Sequence, residues 1–114
     1  MGTLYYGFDA AGIDMPDALL AHVKVVVATK LRRGESFTMS WRHTDDQPRG
    51  RSTIWLQPSI PLRFVFDSAE IEIIDPAALR ELSHAANSSG GLVVALDVPL
   101  VRAEDIDLPV RPAA

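Results

Sequence analysis

Residues 35–57 read ESFTMSWRHTDDQPRGRSTIWLQ, and this stretch decides the fold that we expect. Phe37, Met39, Trp41 and His43 share one side of the alternation, and smaller polar residues or arginine fall between them. A period of two is typical of a strand with one buried face. The polar segment TDDQPRG then closes a seven-residue loop, and RSTIWLQ returns as the partner strand. The stretch therefore predicts a β-hairpin.

The segment before the hairpin predicts a helix from Pro16 to about Arg33. Proline suits the first helical position, Asp17 suits the positive end of the helix dipole, and Gly34 suits the position after the last turn. One apolar stripe contains Leu19, Val23, Val26 and Val27, and Leu20, Val25 and Leu31 widen it. The β-branched run VKVVVATKL makes a strand the competing interpretation. The length and the start and stop signals favour the helix.

The flanking segments supply further strands and a second helix. TLYYG and IDM, near the start, predict two short strands. After the hairpin, PSIP predicts a bend and LRFVFD a strand, whereas SAEIEII fits either an edge strand or a loop. Asp75 and Pro76 predict the N-cap and first position of the second helix, which ends near Asn87 to Gly91. LVVALDV predicts the last strand.

This order of elements predicts an α+β fold, with a mostly antiparallel sheet of about five strands and two helices packed on it. We expect a single domain over residues 1–98. Residues 99–114 are acidic and contain proline, so we expect a partly ordered C-terminal tail.

Composition excludes several classes of protein. The chain has 114 residues, of which 47% are hydrophobic and 23% charged, and it contains no cysteine. Cysteine catalysis, disulfides and thiolate metal sites are therefore excluded. No apolar run approaches the length of a membrane-spanning helix, and the first residues do not resemble a secretory signal. We therefore expect a cytoplasmic protein that does not enter a membrane.

Charge is distributed unevenly along the chain. Residues 24–63 hold eight cations and three anions, a net +5, whereas the whole chain carries −4, so the remainder carries −9. This asymmetry indicates either an anionic partner or neutralisation of one part of the chain by another. The arginines that we single out for binding an anion or nucleic acid are Arg32, Arg33, Arg42, Arg49, Arg51 and Arg63. The acidic segment 104–107 is the alternative, internal partner for them.

No catalytic or cofactor motif stands out. The serines and the three histidines lack a nucleophile elbow, and the histidines lack metal-ligand spacing. His43 with Asp45 and Asp46 could hold a cation, but a solvated loop explains them better. His22 is more typical of a packed, hydrogen-bonded residue. Phosphate-binding glycine loops are absent, so we expect no cofactor, and we rank binding above catalysis.

Self-association is a second hypothesis. The first helix is apolar on more than one side, and a small sheet covers only one of them. A homodimer would bury the other side, and so would a central helix buried within the monomer. This interpretation makes the protein a homo-oligomeric interaction or scaffold protein.

Three segments also carry a family resemblance: GTLYYG, LAHVKVVVATKLRRGESFTMSW and GRSTIWLQPSIPLRFVF, followed by Ala86-Asn87-Ser88. Over roughly residues 2–93, they resemble a family of small proteins from high-GC bacteria that is classed as a domain of unknown function. Members sometimes carry the label ATP-dependent DNA ligase, which implies an accessory role in DNA ligation or repair as a third interpretation. Neither Lys24 nor Lys30 lies in the Lys-x-Asp-Gly setting of a ligase nucleophile.

Overall fold

A computed structural model describes residues 1–97 of the chain. The order of elements is β1 (Gly2–Tyr6), β2 (Ile13–Met15), α1 (Asp17–Arg32), β3 (Phe37–Arg42), β4 (Arg51–Leu56), β5 (Leu62–Val65), α2 (Pro76–Ala86) and β6 (Leu92–Val94). The predicted α+β class is confirmed. The tail predicted at 99–114, with its acidic segment 104–107, lies outside the described residues.

The strands form two sheets of three, in the orders β2-β1-β5 and β4-β3-β6. The prediction of one sheet of about five strands is therefore wrong. The bend at 57–61 is the physical reason, because Pro58 and Pro61 cannot donate to a continuing ladder. A turn bond from Ile60 N–H to the Gln57 carbonyl redirects the chain, and β5 then pairs with β1 instead of β4.

Most of the pairing is antiparallel, as predicted. β1 pairs antiparallel with β2 and β5, and β3 pairs antiparallel with β4. The exception is β6, which runs parallel to β3 after α2 has carried the chain back across the fold. The segment 67–75, which fitted either a strand or a loop, forms no strand.

The helix prediction for the first apolar segment is confirmed, with Pro16 as the residue before the helix instead of its first residue. The predicted apolar stripe of α1 faces the protein interior, and two of the three residues that widen it are buried only in part. Leu19, Leu20, Val23, Val26 and Val27 are buried, whereas Val25 and Leu31 are partly buried. The helix contacts β1 on one side and α2 on another. A largely buried helix within the monomer is thus the arrangement observed.

The second helix begins where the sequence predicts it. The carboxylate of Asp75 accepts a hydrogen bond of 3.3 Å from Ala77 N–H, and Pro76 occupies the first turn. The helix packs on β6 and β3, with Ala86 buried and Leu79 and Leu82 against the core. Neither helix is long and apolar enough to cross a membrane, within the part of the chain described.

Candidate functional site

The β3–β4 hairpin places two arginines side by side on its exposed surface. Arg42 and Arg51 are direct cross-strand partners at the open end of the loop, and both are exposed. Directly opposed residues in an antiparallel pair have Cβ atoms about 5 Å apart. Neither guanidinium lies within 4.0 Å of a carboxylate in residues 1–97. The hairpin therefore presents two adjacent positive charges that have no acidic partner among residues 1–97.

These arginines belong to what we call the outer face, the side of the β4-β3-β6 sheet turned away from the core. The alternation along the strands places these residues there: Thr38, Ser40, Arg42, Arg51, Thr53, Trp55 and Val93. The opposite side carries Phe37, Met39 and Trp41, which are buried as the sequence predicts. None of the seven strand positions that form the outer face carries an acidic side chain.

An open groove of about 800 Å³ runs along this face and beneath the hairpin loop. Arg49 joins Arg42 and Arg51 in its lining, together with Thr53 and Val93. Asp45 and Gln47 of the loop also line it, so the loop end of the groove has mixed charge. Three of the six predicted arginines are thus brought to one surface.

The structure separates the other three arginines from this groove. Arg32 and Arg33 lie at the C-terminal end of α1, before β3 begins, whereas Arg42 lies where β3 ends. Arg63 lies on β5 in the other sheet, with its guanidinium carbon 5.3 Å from the centre of the Tyr5 ring. The predicted set of six therefore divides into one cluster and two outlying positions.

The two tryptophans have opposite environments. Trp41 is 8% exposed in the core, whereas Trp55 is 54% exposed on the outer face. The hydroxyl of Tyr6 donates a hydrogen bond of 2.6 Å to the Trp55 carbonyl, which ties β4 to the other sheet. The exposed position of Trp55 can be predicted from the alternation in RSTIWLQ, because Trp55 falls on the same side of the strand as Arg51.

His43 braces the hairpin loop. Its backbone N–H donates to the Gly50 carbonyl at 2.9 Å, and its Nδ1 lies 2.9 Å from the Pro48 carbonyl. A carbonyl only accepts, so Nδ1 carries the proton in this contact, and Nε2 accepts from the Ser52 hydroxyl at 2.7 Å in the neutral ring. Sequence reasoning did not find the pair of Ser52 and His43, because loop geometry sets the distance between them.

The acidic candidates do not form a cation site in the described chain. No group of three or more histidine, aspartate or glutamate side chains within residues 1–97 could hold a metal ion. Glu70 and Glu72, which would share a face in a strand, lie in the irregular segment between β5 and α2.

Comparison with known proteins gives a family without an assigned activity. The family model described as a domain of unknown function (DUF7882) matches residues 1–97, and the chain belongs to that family. No curated protein and no solved structure matches the chain.

Proposed function

We propose that this member of the family is a non-catalytic binding module that engages nucleic acid or a similar polyanion through Arg42, Arg51 and Arg49. The observation that carries the proposal is the exposed cross-strand pair of Arg42 and Arg51. Like charges directly opposite each other destabilise a sheet. A phosphate bound between the two guanidiniums would remove that repulsion and accept charge-assisted hydrogen bonds from both.

The net charge of −4 does not prevent such binding. Charges on a protein surface are screened over about 8 to 10 Å at physiological ionic strength, so a local patch acts largely independently of distant acids. The strand positions of the outer face carry positive charge only. The nearest acids along the chain are Asp45 and Asp46 in the loop at one end and Glu35 at the other, and Glu35 is paired with Lys30 at 3.3 Å.

The test is fluorescence anisotropy with labelled DNA and RNA at about 50 and 200 mM salt. We expect binding that weakens steeply with salt and weakens further in the Arg42→Ala/Arg51→Ala double variant. The matched control is Arg32→Ala/Arg33→Ala, which removes the same charge from the far end of β3. An equal loss of affinity in both double variants would show that overall charge, and not the Arg42–Arg51 pair, causes the binding. No binding to any probe at low salt would overturn the proposal.

Self-association is the second candidate, and one observation favours it. Ile71 and Ile73 are 94% and 68% exposed in the segment between β5 and α2, beside a groove lined by Phe66 and Val25. A second copy of the chain could cover these side chains. Light scattering over a range of concentrations tests this candidate, and an Ile71→Ser/Ile73→Ser variant should remain monomeric. A constant monomer mass for the original chain would exclude it. A cytoplasmic location stays a prediction from the sequence.

A further inference from the structure

The outer face carries an exposed aromatic ring in line with the arginine pair. Arg51, Thr53 and Trp55 follow one another on the same side of β4. Strand geometry places Arg51 and Trp55 roughly 14 Å apart, at about 3.4 Å per residue. A positively charged end and an aromatic platform therefore lie along one straight strand.

The surface between them is shallow and polar. Thr53 is the cross-strand partner of Ser40, and their hydroxyl oxygens lie 2.8 Å apart. Val93, exposed on β6, is the register partner of Ser40 on the other side. Small side chains in the middle leave room for a chain lying flat from the arginines to the indole ring.

Trp55 is held in place by more than its own strand. β4 is an edge strand of its sheet, and the Tyr6 hydroxyl donates a hydrogen bond of 2.6 Å to the Trp55 carbonyl. Thr38 lies directly opposite Trp55 on the outer face. With its backbone fixed, the indole, which is 54% exposed, has only two side-chain torsions to order when a flat partner stacks on it.

Resting on the proposed function, we infer that the ligand of the outer face is a single-stranded nucleic acid, with a base stacked on Trp55 and a backbone phosphate between Arg42 and Arg51. A duplex keeps its base faces stacked internally, so an exposed indole gains nothing from it. Unpaired bases offer their faces to aromatic side chains, and a basic surface follows the phosphates. Charge and an exposed ring are both present on the outer face, which is the combination that single-strand binding surfaces use.

The experiment compares three probes by anisotropy with the full chain: labelled oligothymidylate and oligouridylate of about 15 nucleotides, and a DNA duplex. We expect tighter binding to either single strand. Trp55→Ala should weaken that binding about tenfold and leave the duplex affinity unchanged. It should also leave the salt slope unchanged, whereas Arg42→Ala/Arg51→Ala, which frees one phosphate, should reduce the slope of log K against log salt by about 0.7. Trp55→Phe, which keeps an aromatic face, should recover most of the affinity.

Tryptophan fluorescence gives an independent measurement. Oligothymidylate should quench the emission of the original chain but not that of Trp55→Phe, because the remaining Trp41 is buried. Equal binding of single strand and duplex, unaffected by Trp55→Ala, would overturn this inference and leave the proposed function intact. Failure of every probe to bind at low salt would overturn both. Preserved circular dichroism in Trp55→Ala confirms that the exposed substitution has not altered the fold.

Discussion

His22 and Asp75 join the two helices through a buried hydrogen bond. The Nε2 atom of His22, on α1, accepts from the backbone N–H of Asp75 at 2.9 Å. The Nδ1 atom lies 2.6 Å from the Ala18 carbonyl, so the neutral ring carries its proton there. His22 is 1% exposed, and Asp75 caps α2. This one side chain therefore fixes where the second helix begins relative to the first.

Replacing His22 with leucine should destabilise the protein. The substitution removes the acceptor that His22 offers to a buried N–H, which costs about 1–3 kcal/mol. Urea denaturation measures the change in the free energy of unfolding. The control is His84→Leu, the same substitution at an exposed position on α2. Equal effects at the two positions would contradict the role assigned to His22.

Asp17 should make stability depend on acid pH. Its carboxylate accepts backbone hydrogen bonds from Asp67 at 3.1 Å and Ser68 at 3.0 Å. The bond from Asp67 is the main cause that lowers the pKa of Asp17 below its ordinary value of 3.8. A lowered pKa means that the folded state favours the ionised form, so this stabilisation is complete above about pH 3.8 and is lost as the pH falls below it.

The measurement is the urea midpoint between about pH 6 and pH 3. We expect Asp17→Asn to lower the midpoint near neutral pH and to make its decline in acid shallower. Asp45→Asn, in the exposed hairpin loop, is the control and should follow the original chain. Parallel curves for Asp17→Asn and the original chain would show that the two backbone bonds contribute no pH dependence.

Two neighbouring glycines should respond very differently to alanine. Gly91 has φ of +75° and its added Cβ would overlap the side chain of Thr38 and lie 2.9 Å from the Thr38 carbonyl oxygen. Left-handed backbone strain and overpacking together should cost at least about 2 kcal/mol in Gly91→Ala. At Gly90 the nearest atom is 4.0 Å away, so Gly90→Ala should change stability by less than about 0.5 kcal/mol. Thermal unfolding of the two variants is the measurement.

The opposed arginines of the hairpin should favour polyanion binding and lower the stability of the free protein. Arg51→Glu converts the repulsion with Arg42 into attraction, which should stabilise the free protein by about 0.2–1 kcal/mol. The same change should abolish binding of a polyanion. Arg51→Thr removes the repulsion without adding an attraction. Its stability should therefore lie between that of the original chain and that of Arg51→Glu. The gain measured by urea denaturation should shrink at about 1 M salt, where screening acts over about 3 Å. A gain that persists there would have another origin.

The sequence predicts those features that depend on neighbouring residues. Alternation places Phe37, Met39 and Trp41 in the core, and the Asp75–Pro76 pair marks the start of α2, both as observed. The division into two sheets depends on which strand β5 meets after the bend, and local pattern carries no information on that choice. The hairpin pattern likewise predicts that Arg42 and Arg51 lie together at the loop end of the hairpin. Arg63 lies apart from them because β5 pairs with β1 in the other sheet, and the local pattern does not predict that pairing.

The parallel pairing of β3 with β6 has a consequence for how the chain folds. The hairpins β1–β2 and β3–β4 join neighbouring strands, but Met39 meets Leu92, 53 residues later, and Leu4 meets Phe64, 60 residues later. Each sheet is therefore completed by its most distant strand. Closing such long loops costs entropy before any contact compensates for it, which slows folding toward the millisecond-to-second range. The two hairpins should gain protection from hydrogen exchange first, and β6 should gain it last.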